Sequence, residues 1–433
     1  MTTQSLQLIP RDLLFLRDAR PMAAADAGQG GNWPRPDQLW NAVCHTMHRT
    51  WPEQQDWEGL KHRKTDLERT RNPDSSDRFG ALQSIGPFPF KAGKPFFPCP
   101  LDLGTAPDSG QDTSLLKAMT LLAGEFTNLP QPLKYAFSAP ALSKEALPAW
   151  LSQDEYQKYL EGTATITVQK NELYDLERNI GIAIDPETGT ARDKEFYQAE
   201  YLRLRHDVSL ACQLDCQITP KTSPGQDRTK VDVLDKLQLQ NGLALILGGQ
   251  QGVVYSQSCN WHLPAIPKPD EDFRLLRWTL LSPAVFPHIV AAENNGHQEH
   301  PGGWLPTWIN PQDGRVLLPA TGPDSARRPG EDRRLWRQRR QELPAIQARL
   351  IAARVGKPQY FSGWDSFQGP KPTLAAVPAG SVYLFQCDSQ QNASLLWDAL
   401  SWQGQHDKIN RRSTVFGEKG FGLGVCSVGH YTW

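Results

Sequence analysis

A proline or glycine interrupts almost every apolar run in this chain, and that punctuation limits the architecture more than any other feature. The 35 prolines and 34 glycines among 433 residues break helix interiors and supply turns, which excludes a bundle of long amphipathic helices in favour of short elements joined by many turns and long loops. The chain also exceeds the roughly 250 to 300 residues at which a single core stops growing. Two domains are therefore expected.

The opening SLQLIPRDLLFLRDARP reads as a strand: Leu6 and Leu8 alternate, Pro10 breaks the run, and Leu14 and Leu16 resume it. A loop with Gly28, Gly30 and Gly31 leads to RPDQLWNAVCHTMHRTW, whose spacing predicts a helix with Asp37 as its N-cap. Alternating charges from Lys61 to Arg78 read as a solvated insertion, and FGALQSIGPFPFKAGKPFFPCPLDL as paired short strands turning at Lys91 to Lys94. Further on, TATITVQK alternates as a strand. NIGIAIDPETGTARDKEFYQAEYLRLR reads as a strand, a turn at Asp185 to Gly189, then a strand or a helix. LALILGGQQGVVYSQ is an apolar strand interrupted by Gly248, Gly249 and Gly252, and RLLRWTLLSPAVF is another strand. From Arg327 to Arg354 nine arginines face three acids; with Leu335, Leu343, Ile346 and Leu350 the segment suits an amphipathic helix that kinks or restarts at Pro344. The end is clearest: strand AGSVYLFQC, helix NASLLWDALSW, closing strand FGLGVCSVG. That strand, helix, strand order is half of a ferredoxin-like unit, and the opening of the chain supplies a similar half.

Charge and cysteine usage exclude several classes of function. Forty-six basic against 47 acidic side chains give no overall positive field, so a phosphate partner must meet a local patch. No apolar run approaches the ~20 residues of a membrane span, and a cytosolic protein without a membrane role is expected. Seven dispersed cysteines, with only Cys212 and Cys216 close together, predict neither a disulfide framework nor a zinc knuckle. Cys44, His45 and His48 have the look of a metal fragment, but they fall near the apolar positions Leu39, Trp40, Val43 and Met47 of the same helix, which makes packing the simpler reading. Neither a metal nor a cofactor is expected.

FGEKGFGLGVCSVG, residues 416 to 429, carries five glycines. A phosphate-binding P-loop requires GxxxxGK[ST] ahead of a helix, and here the lysine precedes the central glycines. A dinucleotide fingerprint requires a following helix, and nine residues after Gly424 leave no room for its βαβ unit. Two readings stay open: a plain turn, or a place where a ligand approaches bare backbone. Lys408, Arg411, Arg412 and Lys419, interleaved with Phe416 and Phe421, suit single-stranded nucleic acid.

Taken in order, IPRDLLFLRDARP, GPFPF with FFPCPLDL, NIGIAIDPETGTA, LGGQQG, LLSPAVF with GGWLP, GWDSFQGPKPTLAAVPAGSVYLF and the closing glycine-rich loop resemble the RAMP superfamily of CRISPR ribonucleoproteins. The resemblance is to the family of the third subunit of the type III-B Cmr effector complex. It implies an α+β chain of two ferredoxin-like (RRM-like) units with long loops and insertions, and a non-catalytic subunit that holds the 5′ tag of the crRNA and bridges the large polymerase-like subunit to the RAMP subunits of the backbone. If bare backbone, nearby cations and aromatic rings hold that RNA, the candidate contacts are Arg17, Arg20, Asn179, Gly181, Gly248, Gly249, Trp364, Lys371, Lys419, Gly420, Phe421 and Gly422. Each has a structural alternative: pairing with Asp12 and Asp18 for the two arginines, a turn for Asn179, core packing for Trp364, simple exposure for Lys371. This sequence departs from the family pattern at Gln250 and Gln251 and in its long insertions. Some RAMP relatives cut repeat RNA with a histidine; the alternative function is such a metal-independent endonuclease, with His45, His48 and His206 as candidates.

Overall fold

A computed structural model describes residues 3–17, 27–28, 31–50, 81–107, 112–124, 128–139, 145–170, 172–218, 231–291, 298–321, 328, 330–365, 369–370, 372–404 and 409–431. Arg20, Lys371, Lys408 and the expected insertion at 61–78 lie outside these residues, as does the side chain of His48. In chain order the elements that frame the site are β1 (Gln4–Pro10), α1 (Pro36–Thr50), β2 (Gln83–Lys91), β3 (Lys94–Pro98), β4 (Trp150–Ser152), α2 (Gln153–Leu160), β5 (Tyr174–Ile184), β6 (Ala191–Leu204), β7 (Val208–Asp215), β8 (Asn241–Ile246), β9 (Val253–Ser258), β10 (Leu275–Leu280), α3 (Arg333–Gln341), β11 (Ala348–Arg354), β12 (Val382–Cys387), α4 (Gln390–Leu400) and β13 (Gly424–Val428).

Two antiparallel sheets organise the chain, and with the helices they make it α+β. The first runs β8-β9-β1-β7-β2-β3-β4, the second β11-β12-β10-β13. Numbered by chain position, β9-β1-β7-β2 and β13-β10-β12-β11 follow the same order, 4-1-3-2. In β1 Gln4, Leu6 and Leu8 are buried and their neighbours half-exposed, the period of two that a one-sided strand requires. Leu6 and Leu8 pack beneath α1, whose Leu39, Trp40, Val43 and Met47 form the covering stripe. In the second sheet α4 performs the same task with Ala393, Leu396, Trp397 and Leu400 over Trp278, Tyr383 and Phe385.

Two helix expectations need correction. Helix α1 begins at Pro36, which puts Asp37 inside its first turn, where it pairs with Arg35 at 3.0 Å. Proline suits the first helical position because the amide it lacks has no partner there. The arginine-rich segment is a helix only as far as Gln341; Ala348–Arg354 is a strand because it pairs with β12, and sheet formation outweighs the helical preference of Leu and Ala. The stretch after the Asp185 turn, open between strand and helix, is the strand β6.

The halves share a core. Ile85, Phe88, Phe97, Tyr156 and Tyr159 pack with Leu281, Leu423 and Val425. Within this join Arg277 of β10 is fully enclosed and faces the equally enclosed Asp102 at 3.4 Å. Arg277 also donates to Ser427 Oγ at 2.8 Å and to the Tyr159 carbonyl at 2.7 Å, and its guanidinium lies 3.9 Å from the Tyr159 ring centroid. Asp102 accepts from the hydroxyls of Tyr159 at 2.8 Å and Tyr431 at 2.5 Å. Burial opposes the arginine's charge, but Tyr159, Tyr431 and Asp102 around it hold its pKa above the ordinary value. Burial pushes both tyrosine hydroxyls well above their usual range, so they stay protonated donors.

Removing one member of a buried ion pair strands the other, at a cost of about 3–5 kcal/mol. Arg277→Met is therefore expected to lower the unfolding free energy by about that amount in a urea titration. A loss below about 1 kcal/mol would show that the pair does not hold the halves together.

Candidate nucleic-acid interface

After Pro10 breaks β1, residues 11–17 do not simply continue the strand. Leu14 bridges to Leu202 on β6 through reciprocal amide bonds of 2.9 and 2.8 Å, and Phe15 accepts from the Gly249 amide at 2.8 Å. The segment is thus stitched between the base of the β5–β6 hairpin and the LGGQQG turn that joins β8 to β9. Gly248 has φ +83°, and a Cβ there would lie 2.5 Å from the Phe15 carbonyl oxygen; one at Gly249 would lie 2.8 Å from the Phe15 ring. In this structure those glycines admit the protein's own backbone. The next residues, Gln250 and Gln251, are exposed and both left-handed at φ 51° and 55°, and the Tyr201 hydroxyl donates to Gln250. Left-handed backbone costs a non-glycine residue about 1 kcal/mol, so this tip holds strain at the surface.

The hairpin of β5 and β6 is eleven by fourteen residues, roughly 35 Å along β5 at 3.4 Å per residue. Its turn closes through Asp185 and Thr190, 2.8 Å from amide to carbonyl. Asn179 pairs with Ala199 and Gly181 with Tyr197, and Asn179 is exposed. Leu176, Ile180 and Ile182 share one face of β5 with Arg178 between the first two and are 39, 66 and 52% exposed; Ile184, 61% exposed, follows a register shift in the pairing. Charges gather at the base: Arg205 pairs with Glu172 at 2.7 Å and Asp175 at 3.0 Å, and Arg203 donates to Glu177, holding that carboxyl below its usual range. Polar base and apolar blade are therefore separated along one element.

The C-terminal glycine-rich loop is packed inside the molecule's own join. Phe421 is fully buried and stacks on Phe361 at 5.4 Å between centroids, beside Phe416. Neither face of its ring is open to a base in this structure. Gly420 has φ +92°, and a Cβ there would sit 2.8 Å from the Ser84 carbonyl on β2; one at Gly422, φ +76°, would fall on the Ser413 backbone. Lys419 rests its ammonium 5.0 Å from the Trp40 ring centroid and 4.7 Å from that of Phe416, a position that favours a desolvated cation. Arg411 donates to Gln83 Oε1 at 2.9 Å, and burial lowers its pKa to about 10, which leaves it charged at neutral pH.

Arg35 connects these pieces. It is buried beside Asp37, donates to the Arg17 carbonyl at 3.2 Å and lies 5.4 Å from the Phe361 ring centroid. The segment that ends in the exposed Arg17 is thereby linked through the Phe15–Gly249 bridge to the Gly248–Gly249 turn, and through the buried Arg35 and Phe361 to the 416–422 loop. Trp364 lies three residues beyond Phe361, on a strand paired to Pro370. Sequence reasoning missed Arg35 and Phe361. The Arg-Pro-Asp entry to α1 was the available signal for the first, since it sets a cation and an anion two residues apart; Phe361 had none.

The arrangement offers cations, exposed apolar side chains and a strained polar turn. Among the described residues no three His, Cys, Asp or Glu side chains cluster to hold a metal, and no helix is long and apolar enough to cross a membrane. His45 and His206 are both exposed.

If Gly248 is required by close approach, Gly248→Ala lowers the unfolding free energy well beyond the about 1 kcal/mol of left-handed strain expected for Gly242→Ala, where φ is +82° but nothing lies within 4 Å. Equal losses in parallel denaturant melts would contradict that role.

The family model described as CRISPR-associated protein (Cas_Cmr3) matches residues 6–428. Similar solved structures include a chain of the type III-B Cmr-beta complex bound to cognate target RNA and AMPPnP, 13% identical over 91% of this chain and 88% of that chain, TM-score 0.40. Another is from the same complex bound to cognate target RNA, 14% identical over 88% and 86%, TM-score 0.39. A third is from the Csm3-Csm4 subcomplex of the type III-A interference complex, 10% identical over 89% and 93%, TM-score 0.32. No curated protein matches the chain.

Proposed function

The chain belongs to the Cas_Cmr3 family of CRISPR-associated proteins, and from that premise we propose that it is a non-catalytic, RNA-binding structural subunit of a type III-B effector complex. It anchors the 5′ tag of the crRNA and bridges the large polymerase-like subunit to the backbone RAMP subunits. The observation that carries the reading is the meeting of Arg17, the LGGQQG turn and the base of an apolar-faced hairpin at one end of the first sheet. The repeated strand order 4-1-3-2, with α1 after the first strand of one sheet and α4 after the third strand of the other, supports two ferredoxin-like units.

In this reading Arg17 takes a phosphate, the exposed Gln250 and Gln251 present polar groups to base edges or 2′-hydroxyls, and the isoleucines of β5 lie against unstacked bases. Asn179 is exposed on the opposite face of β5 and adds a hydrogen-bonding group there. Lys419, anchored on aromatic rings, contributes positive potential, whereas Gly420, Phe421 and Gly422 hold the loop in place.

The test measures binding of labelled crRNA to the effector complex assembled with this chain, across a salt series. Arg17→Glu is expected to reduce affinity about tenfold and to flatten the salt slope by about one unit. Ile180→Asp is expected to reduce affinity without changing the slope. Affinity unaltered by both, or cleavage of repeat RNA abolished by His45→Ala, would contradict the proposal.

A further inference from the structure

Helix α3 plays no part in the interface above. It leads through Pro344 into β11, an edge strand of the second sheet, while β13, which follows the glycine-rich loop, is the opposite edge. Three interstrand steps of about 4.8 Å separate those edges by roughly 14 Å. The helix reads RRLWRQRRQ: five arginines, no lysine and no acid in nine residues. In a chain whose basic and acidic side chains almost cancel, this is a marked local excess of positive charge.

Two features of the segment decide what it suits. Leu335 is 60% exposed, but positions three, four and seven residues on are Gln338, Arg339 and Glu342, so no apolar stripe exists for docking into a protein groove. Arginines 333, 337 and 340 recur at helical spacing with Arg334 beside them, and like charges at such spacing weaken a helix on its own. Arg339 is held by Glu331 at 2.9 Å, and Asp332 caps the helix through the amides of Arg334 and Leu335 at 2.7 and 3.3 Å. These contacts fix the helix, on which Arg334 is exposed. Elsewhere, burial opposes the charge of Asp313, but the amide and guanidinium of Arg315, with a smaller contribution from Arg349, hold its carboxyl below the usual range. Exclusive use of arginine favours phosphate, whose oxygens its planar fork engages two at a time.

We propose that α3, which leads into the β11 edge of the second sheet, is a second contact for single-stranded nucleic acid, taken by its phosphates and without reading sequence. The test uses the full chain and fluorescein-labelled 20-mer oligouridine and oligothymidine, neither carrying a tag, in a salt series. Replacing Arg333, Arg334 and Arg337 with glutamine, which keeps helix propensity, should weaken binding at least tenfold and flatten the log Kd against log salt slope by about two units, at ~0.7 per phosphate contact. The same three positions as lysine should keep most of the slope. Comparable losses for both oligomers identify the phosphate backbone as ligand; a loss confined to oligouridine identifies RNA. Unchanged affinity and slope in the glutamine variant, with an unchanged melting temperature, would overturn the proposal. So would an acidic polypeptide that binds α3 while neither oligomer does. Arg17→Glu, assayed on crRNA, reports separately on the first surface.

Discussion

The molecule depends on one buried ion pair. Asp102 comes from the first half and Arg277 from the second, and neither charge has water to fall back on. Desolvating the two costs several kcal/mol each, which is offset only because Tyr159, Tyr431, Ser427 and a main-chain carbonyl complete the shell. Such a network is demanding in geometry: a small slip of one sheet against the other would leave a charge unpaired. The relative position of the halves is thereby fixed, and so is the surface built across them.

That surface follows from the same economy of space. The chain runs so close to itself that Gly248, against Phe15 in the first half, Gly422, against Ser413 in the second, and Gly420, against Ser84 across the join, have no room for a side chain, and the neighbouring cations are held on aromatic rings or against backbone carbonyls. Groups immobilised in this way lose little further entropy when a ligand binds. The apolar face of the hairpin differs in kind: its isoleucines are uncovered, and its position relies on the Leu14–Leu202 bridge at the base.

Local pattern made part of this legible. The alternation of Leu6 and Leu8, the stripe of α1 and the β12-α4-β13 series are all short-range signals, and each corresponds to an observed element. Position within the fold was not legible. Asp37 was expected to cap α1, but the helix starts one residue earlier because Pro36 is prearranged for it. Phe421 was grouped with surface aromatics through its basic neighbours, and it is buried because Phe361, sixty residues earlier, stacks on it. The glycines pointed correctly to close approach, yet spacing cannot say whether the approaching backbone is a ligand's or the chain's own. The Ala348–Arg354 strand was hidden by residues that prefer helix and by a partner strand far along the chain.

The most direct measurement is a map of crRNA cross-links in the assembled complex, with photoreactive bases in the 5′ tag and the attached peptides identified by mass. The account predicts adducts at residues 11–17, 179–184 and 248–252. Adducts confined to 298–321, with none at those three segments, would contradict it.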